Sequence, residues 1–226
     1  VAFEPATTDV RPRLIFSLDG GPGSGRTRFV LSAPRPIYIV LLDPGGLEGV
    51  IEDATDVHVA VYDWKKSLRQ DDAKVVAREV EDDILNARDL ARTVVIDKAT
   101  ELWQALRLAE FGRLSKERSR NYEGVNTRMS EILRHFVDSD TNLLLIHDRA
   151  DNYEGETKIG TKRAGFNGTE GIVRHAASFN KNPFTMEVTK ATTNWSLVGT
   201  QFAEEDINFV NYASQAVPQL DPSVWL

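Results

Sequence analysis

The 226-residue chain contains no cysteine. That excludes disulfides, thiol nucleophiles and cysteine-ligated zinc, and it suits a reducing compartment. No run approaches the ~20 apolar residues that span a bilayer, and no signal-like apolar segment lies near the start. A cytoplasmic protein with no membrane partner is therefore expected. The chain also lacks an excess of positive charge: 27 Lys and Arg stand against 34 Asp and Glu, a formal net charge of −7. Such a protein binds nucleic acid poorly unless it carries a local basic surface. Internal repeats and low-complexity segments are lacking too. The sequence opens on Val1 rather than methionine, so further residues are expected ahead of it.

What is present is an alternation of short apolar runs and amphipathic stretches, long enough in total for a sizeable core. Leu14–Leu18, Ile37–Leu42, Val57–Tyr62, Thr93–Ile96 and Asn142–Ile146 read as buried strands. Helices are expected over 26–33, stopping before Pro34 and Pro36, and over 65–90, where Val76, Val80, Ile84 and Ala87 share a face. Two more are expected over 102–111 and 125–136. The polar stretch Asp148–Gly171 has no apolar periodicity and reads as a long functional loop. Ile172–Phe179 and Phe184–Thr193 read as an antiparallel pair joined by Asn180-Lys181-Asn182-Pro183. The expected class is α/β: a mostly parallel central sheet with helices on both faces and a C-terminal antiparallel extension. Residues 1–200 are expected to form the core and 201–226 an extension without an assigned role.

The strongest chemical signal is Gly20-Gly21-Pro22-Gly23-Ser24-Gly25-Arg26-Thr27. It has the P-loop (Walker A) form G-x-x-x-x-G-K-[ST] with Arg26 in the lysine position. Glycines let such a loop wrap a phosphate with its N–H groups, in dihedrals that side chains resist. The following helix N-terminus favours an anion, and Thr27 offers a hydroxyl to Mg²⁺. A guanidinium is larger than an ammonium, planar and fixed in charge, so nucleotide binding survives this exchange more readily than phosphoryl transfer does. Downstream, Thr93-Val94-Val95-Ile96-Asp97 has the apolar-strand-plus-acid form of a Walker B element, placing Asp97 toward Mg²⁺. Asp43 also ends an apolar run, but Pro44 and two glycines follow it as a turn would. His147 ends the run NLLLIH, where a polar tip can sense a γ-phosphate. His58, His135 and His175 read as structural or surface residues.

In this order the elements resemble the RecA superfamily of P-loop NTPases, and within it the phage-encoded RecA-like ATPases proposed to act in single-strand annealing recombination. The resemblance spans Arg13 to Gly199. It implies a RecA-like nucleotide-binding core, ATP and Mg²⁺ as cofactors, and a homo-oligomer with nucleotide at subunit interfaces. VVIDKATEL (94–102) is similar to the Walker B strand and its turn. EGVNTRMSEILRHF, within 109–136, resembles the first DNA-binding loop and the helix behind it. His147 would be the switch residue, and 148–171 the second DNA-binding loop. Lys190 resembles a family lysine that reaches the neighbouring subunit's nucleotide. The family's catalytic glutamate has no counterpart: Gly45 stands in its place, with Glu48 nearby. Catalytic roles would thus fall to Arg26, Glu48, His147 and Lys190.

The implied partner is single-stranded DNA, with a single-strand DNA-binding protein as a further one and the host cytoplasm as location. Between Arg107 and Arg134, seven basic residues face four acids, so Arg113, Lys116, Arg118 and Arg120 are candidate phosphate contacts. In the second loop Lys158, Lys162 and Arg163 are candidates, although acids match the basic residues there. Tyr122, Tyr153 and Phe166 are candidates for stacking on bases. Two other classes compete. A non-catalytic nucleotide-binding assembly module is favoured by Arg26 and Gly45. A small-molecule kinase shares the GGPGSG form but would need a lid that the sequence does not display.

Overall fold

The computed structural model describes residues 10–51, 54–65, 69–112 and 119–226, the side chains of Ser119 and Arg120 excepted. The apolar run before the glycine cluster forms β1 (Ile15–Gly20), and the cluster opens into a short helix, α1 (Arg26–Leu31). Next come β2 (Ile37–Leu41), β3 (Val57–Val61) and the long α2 (Gln70–Leu90). Helix α2 buries Ala73, Ala77, Val80, Ile84 and Ala87, a three-to-four-residue stripe that a helix needs to seat on a sheet. β4 (Thr93–Asp97) turns directly into α3 (Ala99–Phe111), which Gly112 ends in the left-handed conformation at φ +67°. α4 (Glu123–Arg134) then leads to β5 (Asn142–His147).

The segment after β5 is not a loop. It forms a separate two-stranded hairpin, β6 (Arg149–Glu154) with β7 (Thr157–Arg163), followed by one helical turn, α5 (Thr169–Ile172). Almost every side chain in the hairpin is exposed, so no apolar alternation marked it in the sequence. β8 (His175–Lys181) and β9 (Phe184–Ala191) pair antiparallel, as expected, but β8 begins three residues later than the pattern suggested. Residues 201–226 continue the same body. β10 (Gln201–Ala203) pairs with β9, and α6 (Phe209–Ala216) is capped by Asn208, whose Oδ1 accepts from Asn211 N at 2.8 Å.

The main sheet has eight strands in the order β10-β9-β8-β1-β5-β4-β2-β3. β8, β1, β5, β4, β2 and β3 run parallel, with the antiparallel pair at one edge. β1, β4 and β5 are mostly apolar because both faces of the sheet are covered. Ile15, Val94, Ile96, Leu143 and Leu145 pack with α2, α3 and α4 on one face. Phe16, Leu18, Val95, Leu144 and Ile146 pack on the other with α1 and α6, including Phe29, Phe209, Tyr212 and the final Trp225. Two histidines left without partners by sequence acquire them here. His58 stacks on Tyr38 at 4.4 Å, and buried His175 shares a 2.8 Å hydrogen bond with Tyr212.

Candidate functional site

The parallel strands all deliver their C-terminal ends to one edge, and each central strand ends in or beside an acid: Asp19, Asp43, Asp97 and Asp148. The glycine loop lies on this edge. A Cβ on Gly20 would stand 2.5 Å from Ser24 Oγ and 2.8 Å from the Phe179 carbonyl, so only glycine lets the loop fold back against β8. Gly25 sits at φ +90° as the residue that starts α1. Ser24 is buried, and its hydroxyl finds no hydrogen-bond partner among the described residues. An orphan donor facing a tight glycine cradle fits an oxygen-rich anion.

Asp97 follows Val95 by two residues and so faces the α1 side of the sheet, the side of half-buried Thr27. Burial pushes its carboxyl up to about 6, against the opposing pull of Arg26 and Lys98. A divalent cation would reverse that penalty, and Thr27 and Asp97 are the residues that would hold one. No group of three or more His, Asp or Glu able to hold a metal alone occurs among the described residues.

Arg26 is the least expected component. Its side chain is buried and is held by backbone carbonyls at both the loop and the end of β5. Nη1 donates to the His147 carbonyl, Nη2 to the Gly21 carbonyl at 3.3 Å, and Asp148 Oδ1 lies 4.0 Å from Nη1. Burial lowers its proton affinity, while Asp148, Asp97 and Asp19 raise it. Lys98, immediately after Asp97, bridges Asp43 at 2.8 Å and Asp148 at 3.5 Å. Burial alone would weaken the Lys98 charge; the Asp43 hydrogen bond and both carboxylates more than compensate, holding its pKa above the usual lysine value. Asp43, read from sequence as a turn residue, is therefore part of this charge network.

His147 occupies an unexpected position. It follows Leu143 and Leu145 in alternation and points to the face opposite α1, fully buried. Neither ring nitrogen has a hydrogen-bond partner of normal geometry, although the Ala164 backbone approaches. Burial, with the charges of Arg163 and Arg26, holds the imidazole neutral well below its ordinary pKa. What reaches the loop is the His147 carbonyl, not its ring. The hairpin root is tied in at the same place. Asp148 N donates to Thr100 Oγ1 at 3.1 Å, Ala164 N to the Asp148 carbonyl at 2.8 Å, and Arg149 Nε to Asp19 at 2.6 Å.

The remaining expected residues are not gathered here. Glu48 is exposed in the turn after β2, its Oε1 3.6 Å from where a Gly45 Cβ would stand. Lys190 lies toward the other end of β9 and donates to the Glu170 carbonyl at 2.5 Å. Arg113, Lys116, Arg118 and the Arg120 side chain lie outside the described residues. Lys158 pairs with Asp151 at 2.7 Å, and Arg163 with Glu170 at 3.1 Å; Lys162 is exposed. Phe166 is buried in the core, which removes it as a base-stacking platform, and Tyr122 packs against Trp103, Phe111 and Arg107. Tyr153 is 55% exposed. The strand-end charge network also includes Lys98, Asp148 and Asp19, which the sequence motifs did not single out. The repeated strand-then-aspartate pattern was a usable signal for these three.

The fold has counterparts among solved structures. An ATPase from the type III secretion system of pathogenic bacteria superposes with a TM-score of 0.50 at 12% identity, over 75% of this chain and 51% of that one. The fold is RecA-like. The chain thus spans about half the length of that ATPase. The RadB recombinase also superposes, with a TM-score of 0.46 at 11% identity, over 84% of this chain and 86% of that chain. No family model matches the sequence, and no curated protein does. No helix among the described residues of this RecA-like chain is long and apolar enough to cross a membrane.

Proposed function

We propose that the chain binds ATP with Mg²⁺ at Gly20–Thr27 and Asp97, hydrolyses it slowly, and uses nucleotide occupancy to control a single-stranded-DNA contact in an oligomer of phage recombination type. The observation that carries this reading is the position of Arg26. Its guanidinium spans the glycine loop and the root of the β6–β7 hairpin through the Gly21 carbonyl, the His147 carbonyl and Asp148.

Loop N–H groups and Ser24 Oγ receive the phosphates, and Arg26 can exchange neutral carbonyl acceptors for anionic phosphate oxygens. Charge-assisted bonds are roughly twice as strong as neutral ones, so the exchange favours the phosphate. It releases the His147 carbonyl and Asp148, and with them the hairpin that presents Tyr153 and Lys162. Lys158 and Arg163 would trade Asp151 and Glu170 for DNA phosphates. Bound Mg²⁺ supplies charge neutralisation at the phosphoryl oxygens. Slow turnover follows from Arg26 in place of lysine and from Gly45 where the family's catalytic glutamate would stand. Those two positions also support the second reading, an assembly module that binds ATP and barely hydrolyses it.

The test is ATP binding and hydrolysis with and without single-stranded DNA, in the natural sequence and in Arg26→Lys. The expected result is tight binding, slow DNA-stimulated turnover, and faster turnover with lysine. Binding and oligomer formation without turnover in either protein, indifferent to DNA, would select the assembly module. Absence of ATP binding in both would overturn the nucleotide reading.

A further inference from the structure

The β8–β9 turn carries two side chains outside every motif in the sequence, and both face the glycine loop. Lys181, last of β8, and Phe184, first of β9, are paired directly across the turn. Ala177 and Phe179 precede Lys181 at two-residue spacing; Met186 and Val188 follow Phe184 in the same way. All four are buried in the layer that contains α1. Alternation therefore sends Lys181 and Phe184 to that same face, just beyond the core.

The Lys181 side chain lies along the loop. From where a Gly23 Cβ would stand, its Nζ is 3.3 Å away, Cε 3.7 Å and Cδ 3.9 Å. The ammonium forms no ion pair among the described residues. Phe184 is 47% exposed and lines a pocket of about 800 Å³ that runs from Gly23 to Arg28 along one wall. Glu204 and Glu205 stand on the pocket wall contributed by the segment after β10. Their carboxylates repel phosphate, which leaves the Gly23 side for the charged end of a ligand and the remainder for an uncharged one.

We infer that the β8–β9 turn is the second half of the nucleotide site, with Lys181 as the mobile cation on the phosphates and Phe184 as the wall for sugar and base. The assignment rests on the nucleotide-binding reading above and adds the residues that reading lacks. Arg26 is buried, hydrogen-bonded to two backbone carbonyls and ion-paired with Asp148 at 4.0 Å, so it starts committed. Lys181 starts free, and a compact ammonium on a four-carbon stem can follow a phosphate where a planar fork cannot. An aromatic face accepts any base by stacking.

Calorimetric titration of ATP and ADP, with Mg²⁺ and at two salt concentrations, tests this in the natural protein, Lys181→Ala, Lys181→Arg and Phe184→Ala. Lys181→Ala is expected to weaken ATP binding by about tenfold or more, as loss of one charge-assisted contact does. It should also flatten the salt dependence, and Lys181→Arg should recover most of both. Phe184→Ala should weaken ATP and ADP by similar factors without changing the salt dependence. Both side chains are exposed, so unfolding temperatures without nucleotide should stay at the natural value. Unchanged ATP affinity in Lys181→Ala, with the natural protein binding normally, would overturn the inference and leave the nucleotide reading standing. If the natural protein binds neither nucleotide, both fall together.

Discussion

The strand-end edge and the β6–β7 hairpin meet at Asp148, yet they handle charge in opposite ways. At the edge, Arg26, Lys98 and Arg149 are partly or wholly withdrawn from water, and each is held by carboxylates or carbonyls. On the hairpin, the Lys158–Asp151 pair has both side chains about half exposed. The first arrangement is a preorganised network in which moving one member disturbs the others. The second is a solvated surface whose ion pairs contribute little to stability and can be exchanged for a ligand's phosphates. The proposed function uses the two regions accordingly, with its control point in the network and its contact surface on the hairpin.

The largest effect should come from the most desolvated acid of the edge. Burial raises the Asp97 carboxyl to about 6, so between the ordinary carboxylate range and that value the folded protein retains a proton that the unfolded chain has lost. Stability therefore falls as pH rises through this window and stays reduced above it. Asp97→Asn removes the penalty. Urea unfolding of the ligand-free protein should show a gain at neutral pH of up to about 3 kcal/mol, vanishing below the ordinary carboxylate range. Mg²⁺-dependent ATP binding should be lost in the same variant. A stability gain independent of pH would mean that Asp97 is not held protonated by burial.

Gly20→Ala should act in the opposite direction. Its new methyl group would press on the Phe179 carbonyl, which belongs to the sheet backbone and cannot yield as a side chain can. A loss of about 2 kcal/mol is expected from such overpacking, with nucleotide binding lost at temperatures where the variant is still folded. Thermal unfolding and ATP titration together measure both parts.

The smallest effects sharpen the contrast between the two regions. Arg149→Ala removes the 2.6 Å bond to half-buried Asp19 at the hairpin root, and should cost about 1.5 kcal/mol as the loss of a charged hydrogen bond. Lys158→Ala, only nine residues further along, removes an exposed pair and should cost less than about 0.5 kcal/mol. Equal costs for the two would show that the hairpin is anchored along its length rather than at its root.

The glycine turn, the strand that ends at Asp97 and the parallel core were legible because each writes a local pattern: a fixed glycine spacing, an apolar run before an acid, strands apolar at most residues. The hairpin wrote none. Its strands are covered on neither face, so Asp148–Gly171 looked like a loop, and only the backbone pairing of Arg149–Glu154 with Thr157–Arg163 distinguishes it from one. The segment after Gln201 was opaque for a related reason. Phe202, Tyr212 and Trp225 are too widely spaced to show a face until β10 and α6 fold against β9 and α1. The orientation of His147 also depended on the strand's register, which places its ring on one face and leaves only its carbonyl for Arg26.

The amino-acid order by itself therefore determined the chemistry of the loop and the class of fold, because backbone conformation and strand burial are local consequences of residue type. Where each cation lies relative to the loop was decided only in three dimensions. Arg26 is sequence-adjacent to the glycines yet is drawn to the end of β5, while Lys181, distant in sequence, is brought to Gly23 by the pairing of β1 with β8. Side-chain reach and competing carboxylates depend on distance in space, and no spacing along the chain encodes that.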